Sequence, residues 1–256
     1  MLKRQKFILV SFLLALGFIL INLLEGNERY WGIGSLSLLS IVFFFWVLKE
    51  GIGKNATLLT LILPSLFTLG VGLFWFLLPT NVIARIPVVI IYGIGIYILC
   101  LTNNIFTVSA IRTIALSRAA RGVGFVITLF TSFLIYDAVM SLKISIYLGS
   151  IIIYALSFPI FIQGLWQSKL TKEFSSSLLI YSLYFSYAIA LGYIFIYFLP
   201  VTVIVGSIFL TVGTYVLLGL GQAKIEGRLF KQTIREYLII GSAVFLVMLF
   251  VTNWRG

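Results

Sequence analysis

Histidine is absent from the 256-residue chain, cysteine occurs once, and only seven residues are acidic. Each scarcity removes a kind of chemistry. Without histidine there is neither the commonest catalytic base nor the commonest transition-metal ligand. Cys100 stands alone in an apolar stretch, so no intrachain disulfide forms and the redox compartment cannot be read from cysteine usage. Hydrolysis and glycosyl transfer usually need convergent acidic groups, histidine or a metal. Gly93-Ile-Gly95 lacks the third glycine of a dinucleotide fingerprint and sits inside an apolar run, which dismisses that motif. No metal site and no cofactor is expected.

Charge is also scarce. Charged residues make up 10% and hydrophobic residues 61% of the chain, against roughly 25% and 45–50% in a soluble domain. Eighteen basic and seven acidic residues cannot clothe a soluble fold of this size. In lipid the outer surface must be apolar and backbone groups must be satisfied within helices or closed barrels. A barrel would alternate apolar and polar positions in short segments. The runs here are long and unbroken, which predicts helices.

A crossing needs about twenty apolar residues. That criterion predicts an all-α bundle of nine spans: Phe7–Leu24, Trp31–Leu48, Ala56–Leu78, Ile86–Leu101, Gly122–Leu142, Ile144–Trp166, Ser176–Leu199, Val201–Gly221 and Tyr237–Trp254. The whole of residues 1–256 reads as one integral membrane domain. With the amino terminus inside, the inner segments hold fourteen of the eighteen basic residues and the outer segments only Arg29, Arg85, Lys143 and Arg255. Cationic residues resist translocation, so this partition predicts a cytoplasmic amino terminus and an external carboxyl terminus. The net charge of +11 is thereby read as a topology signal, with no nucleic-acid partner. The first span follows Lys3, Arg4 and Lys6; with no small-x-small cleavage site after it, an uncleaved anchor is expected over a signal peptide.

Candidate sites are few. Asp137 is the single acidic residue inside a predicted span, and an ionisable group at bilayer depth is by default a functional candidate. It also lies near the outer end of its span, where pairing with Lys143 or Arg85 is the structural alternative. Lys224, Arg228, Lys231 and Arg235 fall within about a 60° arc if their segment is one helix. Such a helix would lie in the interface and offer its basic side to anionic headgroups or to a protein partner. A topology-holding linker explains the same residues. Arg112, Arg118 and Arg121 form a second basic segment, and guanidinium suits bidentate phosphate contact. Ser182, Ser186 and Ala190 make a small-residue row that permits close helix approach. Tyr181, Tyr184, Tyr187, Tyr193 and Tyr197 share that span and would line a polar cavity or simply pack. Pro64 and Pro159 interrupt the third and sixth spans, as in transporters with broken helices and in many ordinary bundles.

Leu101-Thr-Asn-Asn-Ile-Phe-Thr-Val-Ser-Ala-Ile-Arg-Thr-Ile-Ala-Leu116 and Gly227-Arg-Leu-Phe-Lys-Gln-Thr-Ile-Arg-Glu-Tyr-Leu238 resemble segments of uncharacterised multi-spanning proteins of small-genome candidate-phylum bacteria. The resemblance covers about a fifth of the chain. It implies a bacterial cytoplasmic membrane and carries no activity. The expected function is a transporter- or flippase-like bundle for a small or lipid-linked substrate. The alternatives are a non-catalytic partner in a membrane complex and, third, a membrane-embedded enzyme. The expected partners are the bilayer, anionic lipid at the cytoplasmic face, and other proteins.

Overall fold

A computed structural model describes residues 3–21, 24, 26, 28–52, 56–78, 82–110, 115–171 and 173–252. Among them the chain is all-helical: α1 (Lys3–Ile21), α2 (Glu28–Leu48), a 3₁₀ segment (Ala56–Leu61) running into α3 (Ile62–Trp75), α4 (Val82–Ser109), α5 (Ser117–Ser141), α6 (Ile146–Lys169), α7 (Ser176–Tyr197), α8 (Val203–Ile225) and α9 (Lys231–Val251). Nine helices among the described residues are long and apolar enough to cross a membrane. Each predicted span coincides with one of them. The chain forms two compact units, residues 1–131 with 170–174, and residues 132–169 with 175–256, the division falling within α5.

In the first unit α1 packs on α2 and α4, and α2 on α3. Its centre is aromatic. Phe18 meets Trp75 edge-on at 5.0 Å between ring centroids and stacks on Tyr92 at 4.9 Å, and Phe67 stacks on the same tyrosine at 5.9 Å. Pairs of this kind each add about 0.5–1.5 kcal/mol beyond burial. Gly95 makes room for Phe67, since a Cβ there would sit 2.5 Å from the ring.

The third span shows how a proline shapes this unit. Pro64 has no N–H, so the carbonyl four residues back, on Thr60, loses its helical donor, and an α conformation just before the proline is disfavoured. The chain responds with a 3₁₀ segment up to Leu61, and Asn103 of α4 donates its Nδ2 to the stranded Thr60 carbonyl at 2.9 Å. The fourteen residues of α3 reach only about 21 Å. Six residues of 3₁₀ helix add about 12 Å and restore a membrane-length rod.

In the second unit α6 packs on α7 and α8, α7 on α8, and α9 on α8. Glycines set these approaches. The Tyr193 hydroxyl lies where a Cβ on Gly149 would stand, and Leu218 presses on Gly164. Ser182 and Ser186 are fully buried and return their hydroxyls to the carbonyls of Leu178 and Ser182, which leaves a smooth face for packing. The small-residue row is therefore a packing face. Tyr184, Tyr187 and Tyr197 are exposed and Tyr193 fills the Gly149 notch, so α7 does not gather its tyrosines around a cavity.

Candidate functional site: a buried polar cluster in the second unit

Residues 132–141 of α5 belong to the second unit and bury Ser132, Tyr136 and Asp137. The Tyr136 hydroxyl lies 2.9 Å from Ser157 Oγ on α6 and 3.0 Å from Thr214 Oγ1 on α8, and all three residues are fully buried. Ser132, one turn earlier, also hydrogen-bonds Tyr136. Thr214 Oγ1 stands 3.0 Å from the Leu210 carbonyl. One proton arrangement satisfies the chain: Ser157 donates to Tyr136, Tyr136 to Thr214, and Thr214 to the Leu210 carbonyl. The phenol thus joins three helices at one point, where an unpaired hydroxyl would be costly.

Asp137 adjoins this cluster and is only 5% exposed. Its Oδ1 accepts from Ser207 Oγ at 3.2 Å. Ser207 has a single proton, and the Ile204 carbonyl competes for it at 2.9 Å. The carboxyl therefore holds the Ser207 hydroxyl by a shared bond. The expected pairing with Lys143 is not made among the described residues. Lys143 sits just past the end of α5 with φ +47. In the first unit the Arg85 guanidinium stands over the Trp75 ring at 5.1 Å. Asp137 is a buried acid held by a hydroxyl, with no lysine ion pair among the described residues.

The basic linker departs from the expected single helix. Gly227 adopts φ +73, Arg228 N–H donates to the Ala223 carbonyl at 2.8 Å, and Gly227 N–H to that of Lys224 at 3.2 Å. These two bonds make a Schellman C-cap, which ends α8. The 60° arc over Lys224, Arg228, Lys231 and Arg235 does not exist, because a left-handed residue interrupts the periodicity. Lys224 lies at the end of α8 with its ammonium 4.8 Å above the Tyr181 ring. Arg228, in the link, pairs with Glu226. Lys231 and Arg235 are exposed, one turn apart, at the start of α9. In the other basic segment Arg118 is exposed and Arg121 half-buried on the first turns of α5, while Arg112 lies outside the described residues.

Tyr136, Ser157, Ser207 and Thr214 were not anticipated from the sequence. Hydroxyls seven apart on α8, at 207 and 214, share a helix face, and the adjacency of Tyr136 to the sole intramembrane acid was a usable signal. Among the described residues no group of three histidine, cysteine, aspartate or glutamate side chains is placed to hold a metal ion.

A family model described as protein of unknown function (DUF5656) matches residues 9–251. No curated protein and no solved structure matches the chain.

Proposed function

The chain belongs to that family of unknown function, and from its own residues we propose that it is a multi-pass integral membrane protein of transporter or flippase type. The carrying observation is the 5%-exposed Asp137 carboxyl beside the Ser157–Tyr136–Thr214 hydroxyl chain. A charge-bearing group with a shared, replaceable partner suits cation- or proton-dependent movement of a small or lipid-linked substrate. Large apolar side chains such as Phe12, Trp31, Ile151 and Phe250 stand exposed on the helices, a surface that suits hydrocarbon and not water. The fourteen-to-four partition of basic residues supports a cytoplasmic amino terminus, an external carboxyl terminus and the cytoplasmic membrane as location. Phe18 stands in the aromatic centre of the first unit, which supports retention of α1 as an anchor. The exposed Arg118, Lys231 and Arg235 suit anionic headgroups on the inner side.

The test is reconstitution into proteoliposomes with a proton or sodium gradient, read by a pH- or sodium-sensitive dye inside the vesicles. Wild-type protein conducts or couples, and Asp137→Asn loses the gradient-dependent signal while keeping its elution profile. An unchanged signal in Asp137→Asn sinks the reading. A second reading, as a partner in a membrane complex, is favoured by α9, of which Met248 alone is buried. Photo-crosslinkers on α9 that capture lipid and no protein in native membranes would remove it.

A further inference from the structure

Gln163 and Gln167 of α6 are 0% and 1% exposed, yet neither amide hydrogen-bonds: both Nε2 and both Oε1 atoms lack a partner. Spaced four apart, they share one side of the helix. Nine consecutive residues, Ile160 to Ser168, are buried, so these turns are enclosed all round. Nearby polar groups are already satisfied without them. The Gly164 carbonyl takes Gln222 Nε2 at 2.8 Å, and Ser168 Oγ donates to the Leu165 carbonyl at 2.8 Å. One turn before Gln163, Pro159 denies the carbonyl of the exposed Ala155 its helical N–H, and no side chain donates to it among the described residues. Residues 155, 159 and 163 succeed one another on the same side of α6, and helical side chains lean towards the preceding turn. The two amides thus stand together on the enclosed turns, and the Ala155 carbonyl lies outside them at an exposed residue.

We propose that Gln163 and Gln167 form a binding site for a small neutral hydrogen-bonding molecule, either a hydroxyl or carboxamide solute or water itself. The chemistry selects neutrality. The enclosed turns hold two unpartnered amide donors and two unpartnered carbonyl acceptors with no ionisable side chain; Lys169, the first charge beyond them, is exposed. A bare cation would satisfy the carbonyls and leave both amide NH₂ groups unpaired, and an anion would do the reverse. A hydroxyl, a carboxamide or water both donates and accepts. The inference stands on α6 and needs neither Asp137 nor transport.

The experiment uses the full chain in detergent and compares wild type with Gln163→Leu/Gln167→Leu in acetamide, glycerol and sodium chloride series. Bulk glycerol stabilises proteins generally, so the readout is the wild-type-minus-variant difference in Tm. A saturable rise with acetamide or glycerol, absent in the double variant and absent with salt, supports an organic solute. Destabilisation of the double variant with no solute-dependent difference supports water as the occupant. A double variant at least as stable as wild type, with no solute-dependent difference, overturns the proposal. Hydroxyl-radical footprinting of the wild-type protein keeps the question decidable if the variant misfolds. Oxidation of buried Phe161 and Trp166 above that of buried Phe67 and Tyr92 supports an occupied polar strip. Equal protection of all four, without a solute-dependent shift of the wild type beyond that given by sodium chloride, overturns it.

Discussion

Pro64 in the third span and Pro159 in α6 each delete one N–H from a helix, and the two units of the protein answer the loss differently. In the first unit the Thr60 carbonyl is recovered by Asn103 Nδ2, and the residues before Pro64 tighten into a 3₁₀ segment. The break becomes a fixed joint beneath a stack of Phe18, Tyr92 and Phe67. In the second unit the proline frees the carbonyl of the exposed Ala155, to which no side chain among the described residues donates; α6 stays α-helical through the proline, and the two buried amides of Gln163 and Gln167 nearby stand unpaired. A buried amide tied to a carbonyl stiffens a bundle, whereas buried amides tied to nothing mark where a ligand or water belongs. The difference separates a structural proline from one beside a candidate site.

The sharpest way to break the comparison is Asn103→Ala. It strands the Thr60 carbonyl in a buried setting and leaves a cavity, so unfolding in detergent should become easier by about 3 kcal/mol. Folding stability unchanged by this substitution would mean that the Asn103 bond is incidental. Next comes the coupling. Pro64→Ala returns an N–H to position 64, which can serve the Thr60 carbonyl in place of Asn103. In a double-mutant cycle with Asn103→Leu, the penalty of the leucine should shrink by about 1–2 kcal/mol in the Pro64→Ala background. Additive effects would show that the proline and the asparagine do not act on one carbonyl.

Spans were readable in the sequence because a crossing requires only length and apolarity, and helices α1 to α9 follow from that alone. The prolines were readable too, but their repair was not: Asn103 lies 43 residues from Thr60, beyond any periodicity. Tyr136 escaped notice because an aromatic among leucines and isoleucines reads as packing, and only the meeting of α5, α6 and α8 turns its hydroxyl into a junction. The basic linker misled for a different reason. Angular spacing presupposes a continuous helix, and Gly227 after the basic end of α8 is itself a C-cap signature that outweighed the stripe. Asp137 was found by rarity, since an acid inside an apolar run is conspicuous. Its partner Ser207, 70 residues away, was not.

Tyrosine-to-phenylalanine pairs sharpen the contrast between the units at a smaller scale. Tyr136→Phe removes the donor to Thr214 and the acceptor for Ser157, whose hydroxyl has no other partner in this cluster. A cost of about 1–2 kcal/mol is expected. Tyr92→Phe removes one 3.1 Å contact to Thr68, which still donates to the Pro64 carbonyl at 2.8 Å, and retains the ring stacking. Its cost should be about 0.5 kcal/mol. Thermal unfolding of the two variants side by side checks the order, and a reversed order would deny that hydroxyls hold the second unit as rings hold the first.

The smallest effect belongs to an ion pair at the edge of the first unit. Glu50 and Lys3 meet at 2.8 Å with both side chains exposed. The hydrogen bond and charge of Lys3 hold the Glu50 carboxyl below its usual titration range. A depressed carboxylate pKa stabilises the fold above the unfolded-state pKa, and that contribution fades as the pH falls through the folded-state value. Water and salt screen a pair so exposed. Glu50→Gln should therefore lower the thermal midpoint only marginally at pH 7 in low salt. The difference should vanish both in 1 M sodium chloride and at a pH where the wild-type carboxyl is protonated. A difference that persists under both conditions would show that Glu50 holds α1 through packing and not through charge.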